Sequence, residues 1–147
     1  MKVAVVGAGS WGTTVAHLAA HNAPTTLWAR DPELAAGIDR DHRNERYLTG
    51  YDLHPDLRAT SDLDEAVSRA DVVVMGVPTH GFRSSLRDVA TCIRPWVPIV
   101  SLSKGIGSGY MPLGAMAAPE RIVRPVLDMG GFQHGHTYAG NPLACAA

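Results

Sequence analysis

Apolar and polar positions alternate along this chain in blocks, and the blocks spell strand, turn and helix in repeating order. The run Val3-Ala-Val-Val6 is continuously apolar and β-branched, as a parallel strand buried on both faces should be. It passes through a glycine-rich turn into Thr13 to Ala20, a helix-compatible segment. Thr25 to Ala29 reads as a second strand, ended by Arg30-Asp-Pro32. Asp31 is placed to cap a helix that opens on Pro32 and runs through Glu33 to Arg40. A polar linker, Asp41 to Arg46, and a Tyr47-Leu-Thr-Gly50 turn follow. Leu57 to Thr60 then fits an edge strand. Ser61-Asp-Leu-Asp-Glu65 has the composition of a helix start leading to Arg69. Asp71 to Val77 is a second strongly apolar strand stopped by Pro78, Gly81 to Ile93 has helical character, and Val97 to Leu102 is a further apolar strand.

Such alternation predicts an α/β fold of the Rossmann type, a doubly wound parallel sheet with helices on both faces. Right-handed crossovers put the ligand crevice at the carboxyl ends of the first and fourth strands. The pattern breaks after Lys104. Glycines crowd residues 105–114, Pro119 and Pro125 confine any helix between Ala117 and Leu127, and no β-α unit is visible. The expected organisation is a truncated Rossmann-type domain over residues 1–103 and a loop-rich tail over residues 104–147 that does not fold independently.

Composition narrows the function classes. The chain has 147 residues, 46% of them hydrophobic, and a formal net charge of −1. That balance offers no field suited to nucleic acid or to a membrane surface. Cys92 and Cys145 stand far apart and form no C-x-x-C pair, which points to reduced thiols and a cytoplasmic protein. No apolar stretch is long enough to span a bilayer.

The turn after the first strand carries the chemistry. Gly7-Ala-Gly-Ser-Trp-Gly12 is a G-x-G-x-x-G word set between strand and helix, the context a dinucleotide fingerprint requires. Gly7 lets the chain turn sharply, Gly9 lets backbone approach a pyrophosphate, and Gly12 allows helix to pack closely on strand. Ser10 and Trp11 fill the variable positions, where backbone N–H groups at the helix start face the anion. At the end of the second strand, acid selects the ribose hydroxyls of NAD and arginine favours NADP. Here Arg30 and Asp31 are adjacent, so the two cofactors stay open. Arg30 faces the cofactor, or it is solvated while Asp31 caps the next helix. His80, after Pro78, is an acid/base candidate or simply a helix-start residue. Lys104, at the end of the last strand, is placed to bind an anionic substrate or polarise a carbonyl, or is a solvated turn lysine.

These words together resemble the N-terminal domain of bacterial-type NAD(P)-dependent glycerol-3-phosphate dehydrogenase over residues 1 to about 106. They are Gly7-Ala-Gly-Ser-Trp-Gly12 with Thr13-Thr14, Leu27-Trp-Ala-Arg30, Asn44-Glu-Arg-Tyr-Leu-Thr-Gly50, Ala70-Asp-Val-Val-Val-Met-Gly-Val-Pro78 and Val100-Ser-Leu-Ser-Lys-Gly-Ile106. Thr49 stands where that family commonly has proline. The resemblance implies that Gly7, Gly9, Ser10, Trp11, Gly12 and Arg30 bind NAD or NADP. It implies that Lys104 touches both cofactor and glycerol 3-phosphate, the substrate oxidised reversibly to dihydroxyacetone phosphate. The family's general base would lie outside this chain, which is therefore expected to be inactive alone.

The tail resembles a different family, the class III pyridoxal-phosphate-dependent aminotransferases. The matching words are Ser103-Lys-Gly-Ile-Gly-Ser-Gly-Tyr-Met-Pro-Leu-Gly-Ala115 and Phe132-Gln-His-Gly-His-Thr-Tyr-Ala-Gly-Asn-Pro142. That resemblance implies an alternative pyridoxal phosphate site, with Lys104 forming the Schiff base and Thr137 holding the phosphate. The two resemblances share Ser103-Lys-Gly-Ile106, which points to a join there. The carboxylate that such aminotransferases place roughly thirty residues before the lysine has no counterpart around Met75-Gly-Val-Pro78. His134 and His136 lack a third ligand, so no metal site is expected. Cys145 reads as a buried thiol, and Met111 and Met116 as packing residues. An apolar tail surface points to self-association, as a homodimer or by aggregation.

Overall fold

A computed structural model of the chain describes residues 1–103, 116–117 and 124. Its centre is β1, Val3–Val6, whose four residues are all buried. Alternate side chains on a strand point to opposite faces, and β1 feeds two cores accordingly. Val3 and Val5 join one apolar cluster with Leu27, Ile38 and Leu57, while Ala4 and Val6 join another with Val73, Met75 and Val89. A strand buried on both faces has no polar side to alternate with, which is why its sequence is an unbroken apolar run.

The remaining elements follow in chain order: α1 (Ser10–Ala20), β2 (Thr25–Trp28), α2 (Pro32–Asp41), β3 (Arg43–Asn44), β4 (Leu48–Asp52), β5 (Arg58–Thr60), α3 (Leu63–Val67), β6 (Val72–Met75), α4 (Thr79–Cys92), β7 (Ile99–Ser101) and β8 (Met116–Ala117). The main sheet has the order β5-β2-β1-β6-β7-β8. Its first five strands pair in parallel, as expected. Helices α1 and α2 supply Ala16, Ala20, Ala35 and Ile38 to one core, and α3 and α4 supply Ala66, Val67 and Val89 to the other. The sheet is thus covered on both faces, and its order turns back between β1 and β6.

Local signals explain most boundaries. Asp31 caps α2 by accepting from the N–H groups of Glu33 (3.0 Å) and Leu34 (3.3 Å). Asp62 caps α3 through the Glu65 N–H at 3.1 Å. Three expectations are corrected. Helix α1 opens at Ser10, not Thr13, so the second half of the glycine word is already its first turn. Residues 41–50, read as linker and turn, belong mostly to an antiparallel hairpin, β3 with β4, that runs on to Asp52. All of β4 except Leu48 is exposed, so no apolar alternation announces it. It is held by pairing and by contacts such as Arg43 Nε to Asp52 Oδ1 at 2.6 Å. Finally, Met116 and Ala117, read as part of the loop-rich tail, form β8, a two-residue antiparallel edge on β7.

A cluster of imidazoles joins α1 to the segment after β4. The His17 and His21 rings lie 5.0 Å apart and the His21 and His54 rings 4.5 Å apart, both edge to face. The His54 backbone N–H donates to His17 Nδ1 at 2.9 Å, a bond that requires that nitrogen to be unprotonated. Burial, followed by the charges of His21 and His54, holds the His17 pKa below its ordinary 6.5. The unfolded chain therefore binds more protons at this site. The resulting stability is complete above the ordinary pKa and is lost as pH falls through and below it. Denaturant unfolding between about pH 7.5 and pH 5 should show falling stability, with a shallower slope in His17→Gln. Leu27 is fully buried, and Leu27→Ala should cost about 2–5 kcal/mol in the same assay.

Candidate functional site

Neighbouring strands β1 and β6 send their following helices to opposite faces, α1 to one and α4 to the other. The backbone is therefore free to open a crevice at their carboxyl ends. Three glycines form its floor. Gly7 has φ +115°, and a Cβ there would lie 2.9 Å from the Gly76 carbonyl carbon. A Cβ on Gly12 would lie 1.9 Å from the Gly7 carbonyl oxygen, and one on Gly76 would lie 3.0 Å from Gly12 Cα. The Gly7 N–H still donates to Trp28 O at 3.0 Å and the Gly76 N–H to Val6 O at 2.8 Å, so both sheet ladders continue into the turn.

Gly9 behaves differently. Its backbone is extended, and a Cβ added there would meet nothing within 4 Å among the described residues. The protein itself does not need that position to be bare. An open position beside a helix start leaves room for a ligand, as expected of the middle glycine of such a word. The Thr13 N–H donates to Gly9 O at 2.9 Å. The N–H groups of Ser10, Trp11 and Gly12 find no backbone acceptor among the described residues, as expected of a first helical turn. Three free donors on the positive end of α1 suit an anion.

Around this turn the candidate side chains are unequal. The Ser10 hydroxyl donates to Tyr47 O at 2.6 Å, so its side chain ties down the hairpin. Trp11 is 58% exposed beside it. Arg30 is exposed at the end of β2, with no hydrogen bond or ion pair among the described residues. Both Asp31 oxygens are engaged: Oδ1 caps α2, and Oδ2 accepts from Arg46 Nη1 at 2.9 Å. Of the two adjacent selectors, the acid is thus occupied and the arginine is free. His80 sits exposed in the first turn of α4, the plain helix-start position.

The Ser103 hydroxyl donates to Val77 O at 2.7 Å, holding the end of β7 against that of β6. Lys104 and Thr137, Met111, His134, His136 and Cys145 lie outside the described residues. Where the aminotransferase reading needs an acid, the structure has buried Met75 and Val77 flanking Gly76. These residues build the floor of the glycine turn and give a pyridinium nitrogen no partner. No group of three metal-binding side chains occurs among the described residues, and no helix there is long and apolar enough to cross a membrane.

Two participants were not singled out in the sequence. Gly76 completes the backbone contact, and its signal was a glycine directly after a buried strand at the switch point. Asn44 is buried behind the turn, and only its place in a resemblance word marked it.

Strand order, glycine floor and free helix start together define an α/β dinucleotide-binding domain. Residues 2–129 match the family described as NAD-dependent glycerol-3-phosphate dehydrogenase N-terminus, and the chain belongs to that family. It is 57% identical over 106 residues to glycerol-3-phosphate dehydrogenase [NAD(P)+] 2 of Sphingopyxis alaskensis, covering 72% of this chain and 32% of the relative. Against glycerol-3-phosphate dehydrogenase [NAD(P)+] of Mycobacterium avium the figures are 56% over 110 residues, 74% and 32%. The chain thus spans about a third of the length of the curated relatives it matches. Among solved structures, glycerol-3-phosphate dehydrogenase from Saccharomyces cerevisiae superposes with a TM-score of 0.67 at 28% identity, covering 71% of this chain and 34% of that one. The Coxiella burnetii enzyme gives 0.66 at 28% identity, covering 74% and 34%. The family match runs to residue 129, past the shared word at 103–106. The aminotransferase resemblance of the tail stands on its sequence words alone.

The two kinds of glycine should separate in a thermal melt. Gly12→Ala places a methyl group against backbone and should prevent folding. Gly9→Ala should stay within about 0.5 kcal/mol of wild type.

Proposed function

We propose that this chain is the dinucleotide-binding part of an NAD(P)-dependent glycerol-3-phosphate dehydrogenase, acting in the cytoplasm. The observation that carries this reading is the open space over Gly9 beside three N–H groups that have no backbone acceptor among the described residues. The backbone of Gly9, Ser10 and Trp11 holds the pyrophosphate, and Gly7, Gly12 and Gly76 keep that backbone low. Trp11 walls one side, and Arg30 faces the adenosine end. When bound, the nicotinamide supplies the two-electron acceptor for the hydride on C2 of glycerol 3-phosphate, giving dihydroxyacetone phosphate. Lys104 meets the anionic substrate, and the hydroxyl proton goes to a base that residues 1–103 do not supply.

A free Arg30 next to an occupied Asp31 supports use of NADP as well as NAD, since the arginine can meet an extra phosphate. Titration of wild type should show binding of both reduced cofactors, abolished by Gly9→Val, whose side chain fills the pyrophosphate space. Equal binding by both proteins would sink the reading. Arg30→Ala should weaken NADPH roughly tenfold and NADH less, as expected for loss of a charge-assisted contact. Dihydroxyacetone phosphate with reduced cofactor should give negligible turnover by this chain alone.

A further inference from the structure

Asn44 is fully buried, at 0% exposure, although it ends a strand in a hairpin whose other strand residues are exposed apart from half-buried Leu48. Its carboxamide is used on both sides. Nδ2 donates to Ala8 O at 3.0 Å and to Thr13 Oγ1 at 2.8 Å. Oδ1 accepts from the Tyr47 N–H at 3.1 Å. Ala8 immediately precedes Gly9, and Thr13 immediately follows Gly12. One NH2 group therefore grips both flanks of the segment whose N–H groups are free. The Tyr47 carbonyl in turn receives the Ser10 hydroxyl at 2.6 Å, so the same amide also fixes the acceptor that orients Ser10.

We propose that Asn44 is a positioning residue for dinucleotide binding, its buried amide clamping the two flanks of the Gly9–Gly12 turn and setting Ser10 through Tyr47. This rests on the reading that the turn binds a dinucleotide. The chemistry is selective for an amide. Ala8 O is an acceptor, and the Thr13 hydroxyl accepts here, so the clamping group must offer two donors from one nitrogen. A carboxylate of the same shape offers none and sets negative charge against the Ala8 carbonyl. Its protonated form regains one donor, and burial raises an aspartate pKa toward neutral.

The test uses the full chain and NADH, with circular dichroism confirming the fold at each pH. Asn44→Asp should bind NADH at least tenfold more weakly than wild type at about pH 8. Most of that gap should close by about pH 5.5, as the acid protonates. A merely structural role predicts a lowered melting temperature without this pH-dependent recovery of affinity. Thr13→Val removes one acceptor while keeping shape, and should weaken NADH several-fold; it decides the matter if Asn44→Asp does not fold. Affinities within twofold of wild type in the folded variants, or a loss in Asn44→Asp that protonation does not repair, would overturn the clamp. Wild type that fails to bind NADH, or Gly9→Val that binds it equally, would instead remove the dinucleotide site and the clamp with it.

Discussion

The structure depends on one close approach of backbone to backbone, where Gly7, Gly12 and Gly76 meet without side chains. Any Cβ at these positions would fall within 1.9 to 3.0 Å of main-chain atoms. Main chain cannot swing aside as a side-chain tip can, so the contact is all or nothing. It sets α1 directly on the carboxyl ends of β1 and β6. Without it the first turn of α1 would ride higher, and its free donors would no longer border the crevice.

Around this contact the molecule is arranged to hold backbone still. The two apolar faces of β1 fix the strand from above and below, with Leu27, Ile38 and Leu57 on one side and Val73, Met75 and Val89 on the other. Such burial contributes roughly 1.5–3 kcal/mol for each large side chain, so the strand entering the turn is the best-anchored part of the sheet. The hairpin works from the far side. Its contribution is polar and directional, through Asn44, Tyr47 and the Ser10 hydroxyl, and a buried amide with paired donors tolerates little displacement.

The difference between these two kinds of anchoring explains what the sequence made legible. The unbroken run Val3 to Val6, the capping Asp31 before Pro32 and the spacing of Gly7, Gly9 and Gly12 are local signals, each with one structural meaning in that order. The parallel sheet and its switch point followed from them. The hairpin over residues 43–52 was illegible because four of the five β4 residues are exposed, and its stability comes from partners distant in sequence. Asn44 reaches across 36 residues to Ala8 and 31 to Thr13, and no spacing rule connects them. The role of Gly76 was hidden for a similar reason, since it is defined by α1 passing over it rather than by its neighbours in the chain. The early start of α1 was illegible because glycine and serine are poor helix formers, yet here Ser10 supplies the hydroxyl bond to Tyr47 and Gly12 the bare Cα that packs against Gly7.

The residues that shape the turn and those expected to act on substrate also separate along the chain. Among the described residues, every contact that builds the glycine floor, the clamp and the caps lies between Val6 and Val77. That stretch lies wholly before residue 104, where Lys104 and the altered composition begin. Recognition of two linked phosphates is a property of backbone geometry, which a well-packed sheet secures by itself. Hydride transfer needs a substrate held at a fixed distance and a proton acceptor as well, groups that glycines and free N–H donors cannot replace. Fixed backbone geometry and chemical turnover thus make separate demands on a chain of this kind.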